Sequence, residues 1–363
     1  MTDKITFFPV GNGDMTMIKF QNGTTVLIDC NIRTDDDKPY DCLAYLKEHL
    51  PKEDGKSFVD AFILTHHHDD HCHEASQLFW FGDPAKRPAG KALVKELIVA
   101  PRLLTDDEIE NEHAKAVRKE ADRRLALWGK DAFNSDGNRM QIIGYSTELS
   151  GYDEMTTVAG QQIGTINGKS CTGYELFVLG PVRKDNDDED ANINDTSIVL
   201  KISFVKSNYK PTKRIVMIAG GDELCDNLVD IIDKNSEMTF DVLIAPHHCS
   251  WHSISNEDSR TGKAHPTIEE FLEGSKSKAH VIASSKPIKR DDDNPPSYRA
   301  KNVYYKHLDD TDRFFCLGEY PKETENKPLV LDVSYQGITV DEPGKASPKP
   351  TSFASAYTPK TYG

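Results

Sequence analysis

The sequence predicts an α/β layered domain, on three observations. Short apolar, β-rich runs bounded by Gly, Asn and Asp turns open the chain. Strand and helix patterns then alternate over most of its 363 residues. Clusters of polar, ionisable residues stand directly after apolar runs, where the loops at strand ends belong. No repeat at a solenoid period interrupts this order.

Taken along the chain, residues 5–10 read as a strand, followed by the turn Gly11-Asn12-Gly13-Asp14. Residues 15–20 and 24–29 read as a hairpin about Asn22-Gly23, a dipeptide suited to tight turns. Residues 39–50 have helical character, and 59–65 form an apolar run that fits a buried strand. Thr105-Asp106-Asp107-Glu108 resembles a capped helix start, opening a charged helix to about Gly129. Residues 84–168 are therefore read as a helical insertion, a surface element first and a lid second. Strand patterns return at 174–179, 197–204, 214–219, 242–245, 281–285 and 329–333. Helical patterns lie at 225–234 and 267–274. Residues 183–190 read as an acidic loop, and 341–363, rich in Pro, Ser, Thr and Lys, as an extended or disordered tail. The expected domain is 1–340.

Composition narrows the function classes. The formal net charge is −15, which excludes a protein that coats nucleic acid non-specifically, because that requires an excess of cations to displace counterions. A nucleic-acid substrate gripped locally stays open, since bound metal reverses the field at one site. The seven cysteines are odd in number and lack a CxxC pair, which points to a reducing interior. The first residues lack the apolar core of a signal peptide, and no stretch approaches the ~20 apolar residues of a membrane span. The expectation is a soluble, cytoplasmic protein with no membrane partner.

The chemistry concentrates in Thr65-His66-His67-His68-Asp69-Asp70-His71-Cys72-His73. Imidazole and carboxylate are good ligands for first-row divalent metals. In an extended segment His66 and His68 point to the same side and can share one ion. A tightening after His68 lets Asp70 and His71 face a second. The bland alternative, a solvated His-rich loop, must place all these groups after an apolar strand without purpose. Gly220-Gly221-Asp222 follows another apolar run, so Asp222 is either a bridging carboxylate or the cap of the next helix. Pro246-His247-His248-Cys249-Ser250 follows a third. One of its histidines is expected to ligate and the other to contact substrate or donate a proton. Phe79 and Trp80 read as core, Cys72 as a small buried thiol, and His73 and His252 as peripheral.

In order, these segments resemble the metallo-β-lactamase superfamily. His66, His68, Asp70 and His71 occupy the four positions of its His-x-His-x-Asp-His motif. The chain is more narrowly similar to the hydrolase domain of the ComEC/Rec2 DNA-uptake proteins and their stand-alone bacterial relatives. Residues 8–14 resemble that group's opening turn, with Pro9 where Asp is usual. Residues 26–30, 194–200 and 219–222 resemble its later strands, and 246–250 its His-His-Gly-Ser segment, with Cys249 for Gly. Asn294-Pro295-Pro296 is all that matches a later Asn-x-x-x-His-Pro segment. The resemblance spans about 5–253 and, more faintly, 281–340.

That resemblance implies an αββα four-layer sandwich with two divalent ions at one edge, Zn²⁺ first and Mn²⁺ as competitor. It implies His66 and His68 on one ion, Asp70, His71 and His247 on the other, and Asp222 bridging. Asn194 or Asp195 stands where the superfamily often adds a histidine, as a further ligand or substrate contact. The function it implies is phosphodiester hydrolysis of a nucleic acid or nucleotide, with Asp70 orienting the nucleophile and His248 donating a proton. The alternatives are hydrolysis of a lactone, thioester, amide or small phosphorylated metabolite, or a non-catalytic module binding a protein partner through the insertion or tail.

Overall fold

The computed structural model describes residues 2–33, 40–182, 192–207, 210–235 and 238–341. The expected acidic loop at 183–190 and all but the first residue of the expected tail lie outside them. The described residues form a mixed α/β protein built on two large mixed sheets.

In the first sheet the strands run Gly337–Val340, Leu329–Ser334, Asp3–Phe7, Thr16–Lys19, Thr25–Ile28, Lys56–Leu64, Ala92–Val99, Arg139–Ile143 and Thr156–Thr157. The Asn22-Gly23 hairpin forms as expected. The Asn22 side chain accepts from Thr24 N at 3.0 Å, and Lys19 pairs with Thr25. From Thr25–Ile28 onward the sheet is parallel. The second sheet runs Gln162–Ile163, Tyr174–Gly180, Val199–Lys206, Lys213–Ala219, Val242–Ile244, His280–Ala283 and Phe314–Cys316. It is antiparallel up to Lys213–Ala219 and parallel beyond it.

Side chains two apart on a strand share a face, so each sheet offers two apolar faces. Ile5, Phe7, Ile28 and Ile63 of the first sheet and Leu200, Ile202, Met217 and Ile244 of the second form one buried cluster. On the first sheet's other face, Leu27, Phe62, Leu64 and Leu97 meet Leu46 of helix Cys42–His49 and Val117 of helix Glu112–Leu125. On the second sheet's other face, Leu243 and Val281 meet Ile231, Leu272 and Tyr304 of helices Cys225–Lys234, Pro266–Glu273 and Tyr298–His307. Each such side chain contributes about 1.5–3 kcal/mol of burial.

The helical insertion expected at 84–168 needs correction. This segment supplies Ala92–Val99, Arg139–Ile143 and Thr156–Thr157 to the parallel part of the first sheet. Charges hid the strand Ala92–Val99. Lys95 and Glu96 are buried in it because each has partners: Lys95 Nζ lies 2.9 Å from Glu53 and 3.0 Å from Asp136, and Glu96 accepts from Asn167 N at 2.6 Å. The long helix also starts later than Thr105. Its cap is Asn111, whose Oδ1 accepts from His113 N and Ala114 N. Helix Tyr298–His307 and strand Gly337–Val340 were not foreseen. Among the described residues no helix is long and apolar enough to cross a membrane, and all seven cysteines are free.

Candidate metal centre

The parallel strands set the site, because loops at their carboxyl ends open on one crevice. Lys56–Leu64 runs directly into the histidine cluster. His66 to His68 stays extended, with His68 at φ −66° and ψ 153°. The His66 and His68 rings therefore share a side, with His66 Nε2 3.1 Å from His68 Nδ1. His67 points elsewhere, and its Nε2 meets Asp106 Oδ2 at 2.9 Å. Asp69–Cys72 then makes one helical turn, the tightening expected from the sequence, which presents Asp70 and His71. Cys72 is buried behind the turn, its Sγ 3.3 Å from the His68 carbonyl. Burial pushes its thiol up to about 12, so it is a packing group rather than a soft ligand.

Asp29, at the end of the neighbouring strand, locks this loop from beneath. Its Oδ1 accepts from Thr65 N at 2.8 Å, and its Oδ2 from Thr65 Oγ1 at 2.7 Å. The same Oδ2 lies 2.8 Å from His71 Nδ1, so when His71 is neutral its proton stays on Nδ1 and Nε2 is the atom free to ligate. That is the arrangement in which a carboxylate orients a metal-binding imidazole. Thr65 Oγ1 spends its hydrogen on Asp29 and is left to accept from His66 Nδ1, 3.2 Å away. The lone pair of His66 then lies on Nε2.

The second sheet brings Asp222. Its Oδ1 lies 3.2 Å from His71 Nε2, and its Oδ2 lies 3.3 Å from His248 Nε2, 3.8 Å from His247 Nε2 and 3.9 Å from His66 Nε2. Asp222 does not cap the following helix, where no side-chain cap is made. Asp222 reaches the histidines because Gly221 permits close approach: a Cβ there would stand 2.8 Å from both His66 Nδ1 and Thr65 Oγ1. Gly221→Ala is expected to cost about 1–3 kcal/mol by overpacking and to weaken metal retention, both measurable by urea unfolding with and without added metal.

His247, His248 and Cys249 all have left-handed backbones, with φ of 51°, 54° and 66°. This turn buries His248 and leaves His247 18 % exposed at its side chain. His248 Nε2 lies 3.2 Å from Asp70 Oδ2. His248 Nδ1 lies 3.2 Å from Gly13 N and 4.0 Å from Asp14 Oδ2. Gly13 is itself required: its φ is 134°, and a Cβ would lie 2.0 Å from Asn31 Nδ2 and 2.6 Å from the Asp70 carbonyl.

Two ligand sets result. One donor atom from each of His66, His68 and Asp222 lies within 4.8 Å of the others, and so do donors from Asp14, His71, Asp222 and His248. In this grouping the buried His248, rather than the expected His247, joins the second set, while His247 Nε2 lies 3.8 Å from Asp222 Oδ2 at its edge. Asp70 adjoins that set through His248. Asp195 is corrected too, because its carboxylate accepts from Asn192 N and closes a capping box. Asn194, by contrast, is buried, and its Oδ1 is left without a hydrogen-bond partner. Asp14 and Asp29 were missed. A carboxylate in a Gly-rich turn, or one ending a strand, reads locally as a turn former.

The donor set fits divalent ions. His71 Nε2, Asp222 Oδ1 and His248 Nε2 are buried and make no hydrogen bond despite their short separations. Donors about 3–4 Å apart suit a shared ion with bonds of about 2.0–2.2 Å. In the metal-free chain protons fill this place. Burial lowers the His71 pKa, yet Asp222 and Asp29 outweigh it and hold the ring charged. Burial likewise opposes charge on His248, but Asp222, Asp70 and Asp14 raise it to about 10. Burial would raise Asp222, yet His248 and His71 hold it well below the usual carboxylate range. His66, His68 and His247 are pushed down chiefly by burial and present neutral, ligand-ready rings.

Asp14 gives a pH signature. Burial, against the attraction of His248 and His71, raises it from 3.8 to about 6. Between those values the folded chain holds a proton that the unfolded chain has released, so this group's contribution to stability falls as pH rises. Metal-free Asp14→Asn should gain on the wild type between about pH 4 and 6 by on the order of 2–3 kcal/mol, read by urea unfolding across that range.

An open groove of about 830 Å³ adjoins His67 and His68. Asp69, Asp106, Asp107, Glu108 and Glu110 line it, with Lys115 the one Lys or Arg among its lining residues.

No protein-family model matches the chain, and no curated protein shows significant similarity to it.

Proposed function

We propose that the protein is a metal-dependent hydrolase of the metallo-β-lactamase type, and that its two sheets and flanking helices form an αββα sandwich. Two features support the architecture: one apolar cluster draws on both sheets, and each sheet's other face carries helices. The observation that carries the function is the buried Asp222 carboxylate, shared between His66 and His68 on one side and His71 and His248 on the other. We assign His66, His68 and Asp222 to one ion and Asp14, His71, Asp222 and His248 to a second, with Zn²⁺ favoured by the imidazole-rich set and Mn²⁺ as the competitor. Such ions supply hydroxide at neutral pH and neutralise charge on the group under attack.

The chain's own residues then have distinct tasks. Asp29 and Thr65 fix the ring of His71 and the tautomer of His66. Asp70, partly exposed beside His248, orients the nucleophilic water. Asp14, 4.0 Å from His248 Nδ1 and itself a member of the second set, places negative charge beside that ring. His247, the more exposed of the pair, hydrogen-bonds the leaving oxygen through its ring N–H. The bond we assign is a phosphodiester. The acidic groove argues against long duplex nucleic acid, which it would repel, and favours a short or small nucleotide substrate. It equally supports a second reading, hydrolysis of an uncharged lactone, thioester or amide. An open groove at His68 favours either over a purely partner-binding module.

The test uses full-length protein stripped of metal and reloaded with Zn²⁺ or Mn²⁺. Single-stranded DNA, RNA, cyclic nucleotides, and lactone and thioester probes are assayed in parallel. Metal-dependent cleavage of a phosphodiester, lost in His68→Ala and Asp70→Ala, is the expected result. Loaded protein that cleaves none of these, or variants that keep full activity, would sink the proposal. Cleavage of only the lactone or thioester would establish the second reading.

A further inference from the structure

The histidine loop carries a second ligand cluster that the centre described above does not use. Asp69, His73 and His113 each offer one donor atom, and the three atoms lie within 4.8 Å of one another. His73 Nδ1 lies 2.9 Å from Asp69 Oδ2, four residues apart on the turn Asp69–Cys72 and its cap. His113 comes from a different element, the first turn of helix Glu112–Leu125, and its ring centroid lies 4.5 Å from that of His73. The donor set, two imidazoles and a carboxylate, is one that holds Zn²⁺ with a water in the fourth position.

The placement is not an accident of loose surface side chains. The helix start is fixed against the turn by Asn111, whose Nδ2 donates to Cys72 Sγ at 3.8 Å while its Oδ1 caps the helix. Cys72 Sγ in turn donates to the His68 carbonyl. The backbone at Ile32 N also holds the His73 carbonyl at 3.0 Å. The two elements are therefore positioned before any ion arrives, which lowers the ordering cost of binding. The groove beside Asp69 adds Asp106, Asp107, Glu108 and Glu110, a field that draws cations toward this edge.

We propose that Asp69, His73 and His113 form a third divalent-cation site, of the zinc type, that clamps helix Glu112–Leu125 to the loop bearing Asp70 and His71. This site is separate from the two-metal reading and stands without it. An ion here would hold the acidic wall of the groove to the histidine loop, so zinc concentration would set how firmly that wall is held.

The experiment counts zinc. Full-length protein is stripped with chelator, dialysed and titrated with Zn²⁺ by calorimetry, with thermal unfolding followed at each equivalent. His73→Gln and His113→Gln keep polarity at partly exposed positions, and each should lose the same single equivalent and the thermal shift that accompanies it. Asp222→Asn should keep that equivalent while losing those of the buried centre, so failure of one site is distinguished from failure of the other. Wild-type and both Gln variants binding equal numbers of zinc ions with equal thermal shifts would overturn the proposal. Loss of an equivalent in only one Gln variant would overturn the three-ligand assignment.

Discussion

Asp222→Asn should abolish metal binding at the buried centre and lower hydrolysis by a factor on the order of 10³ or more, the scale at which removing one key electrostatic group slows an enzyme. Asp222 is the only carboxylate common to both ligand sets among the described residues. An amide keeps its size but supplies neither the second anionic oxygen nor the charge that two cations demand. The same change acts on the metal-free fold. Asp222 neutralises His71 and His248, both held charged in its presence, and both rings are buried. With the carboxylate gone they must release protons or remain as buried cations with less compensation, a situation that costs about 3–5 kcal/mol. Metal content after gel filtration and urea unfolding in chelator measure the two effects separately. A variant that retains two ions per chain would disprove the bridging role.

Asp29→Asn should have the second-largest effect, although Asp29 belongs to neither ligand set. Its carboxylate takes three contacts, from Thr65 N, Thr65 Oγ1 and His71 Nδ1. An amide can accept on one oxygen only, and its NH₂ would face a donor. The His71 ring would then lose its tautomer or its orientation. Losses of this kind weaken metal affinity about 10–100-fold, and the stranded buried donor adds about 1–3 kcal/mol of instability. A competition titration against a chromophoric chelator reads the first quantity. Metal affinity equal to wild type would show that Asp29 only packs.

How much of this was legible beforehand depended on whether a residue's role was local. His66 and His68 follow from alternation in an extended segment, and Asp70 and His71 from the turn that must come next. Asp222 and the His247-His248 pair were visible because they stand directly after apolar runs. The order of roles within that pair was not. It depends on three successive left-handed residues, which no propensity favours at His-His-Cys. Asp14 reaches the site only through the approach of Gly13 to Asn31 and Asp70, a contact made across the fold. The strand Ala92–Val99 was obscured for a similar reason. Lys95 and Glu96 look solvent-facing in isolation, and only Glu53, Asp136 and Asn167 from other segments make them tolerable inside a sheet. The charged helix nearby then dominated the pattern and drew the whole segment into a helical reading.

The division of the centre between the two sheets has a consequence for the molecule as a whole. His66, His68 and His71 hang from the first sheet, and Asp222 and His248 from the second, so neither half holds a complete ligand set. On the two-ion reading proposed above, docking of one sheet on the other and capture of an ion are two faces of a single equilibrium. Free metal at about 100 times its dissociation constant adds about 2.7 kcal/mol to the cohesion of the sheets, and a chelator withdraws it. Metal supply in the surroundings would thus govern how long the chain persists intact as well as how fast it works.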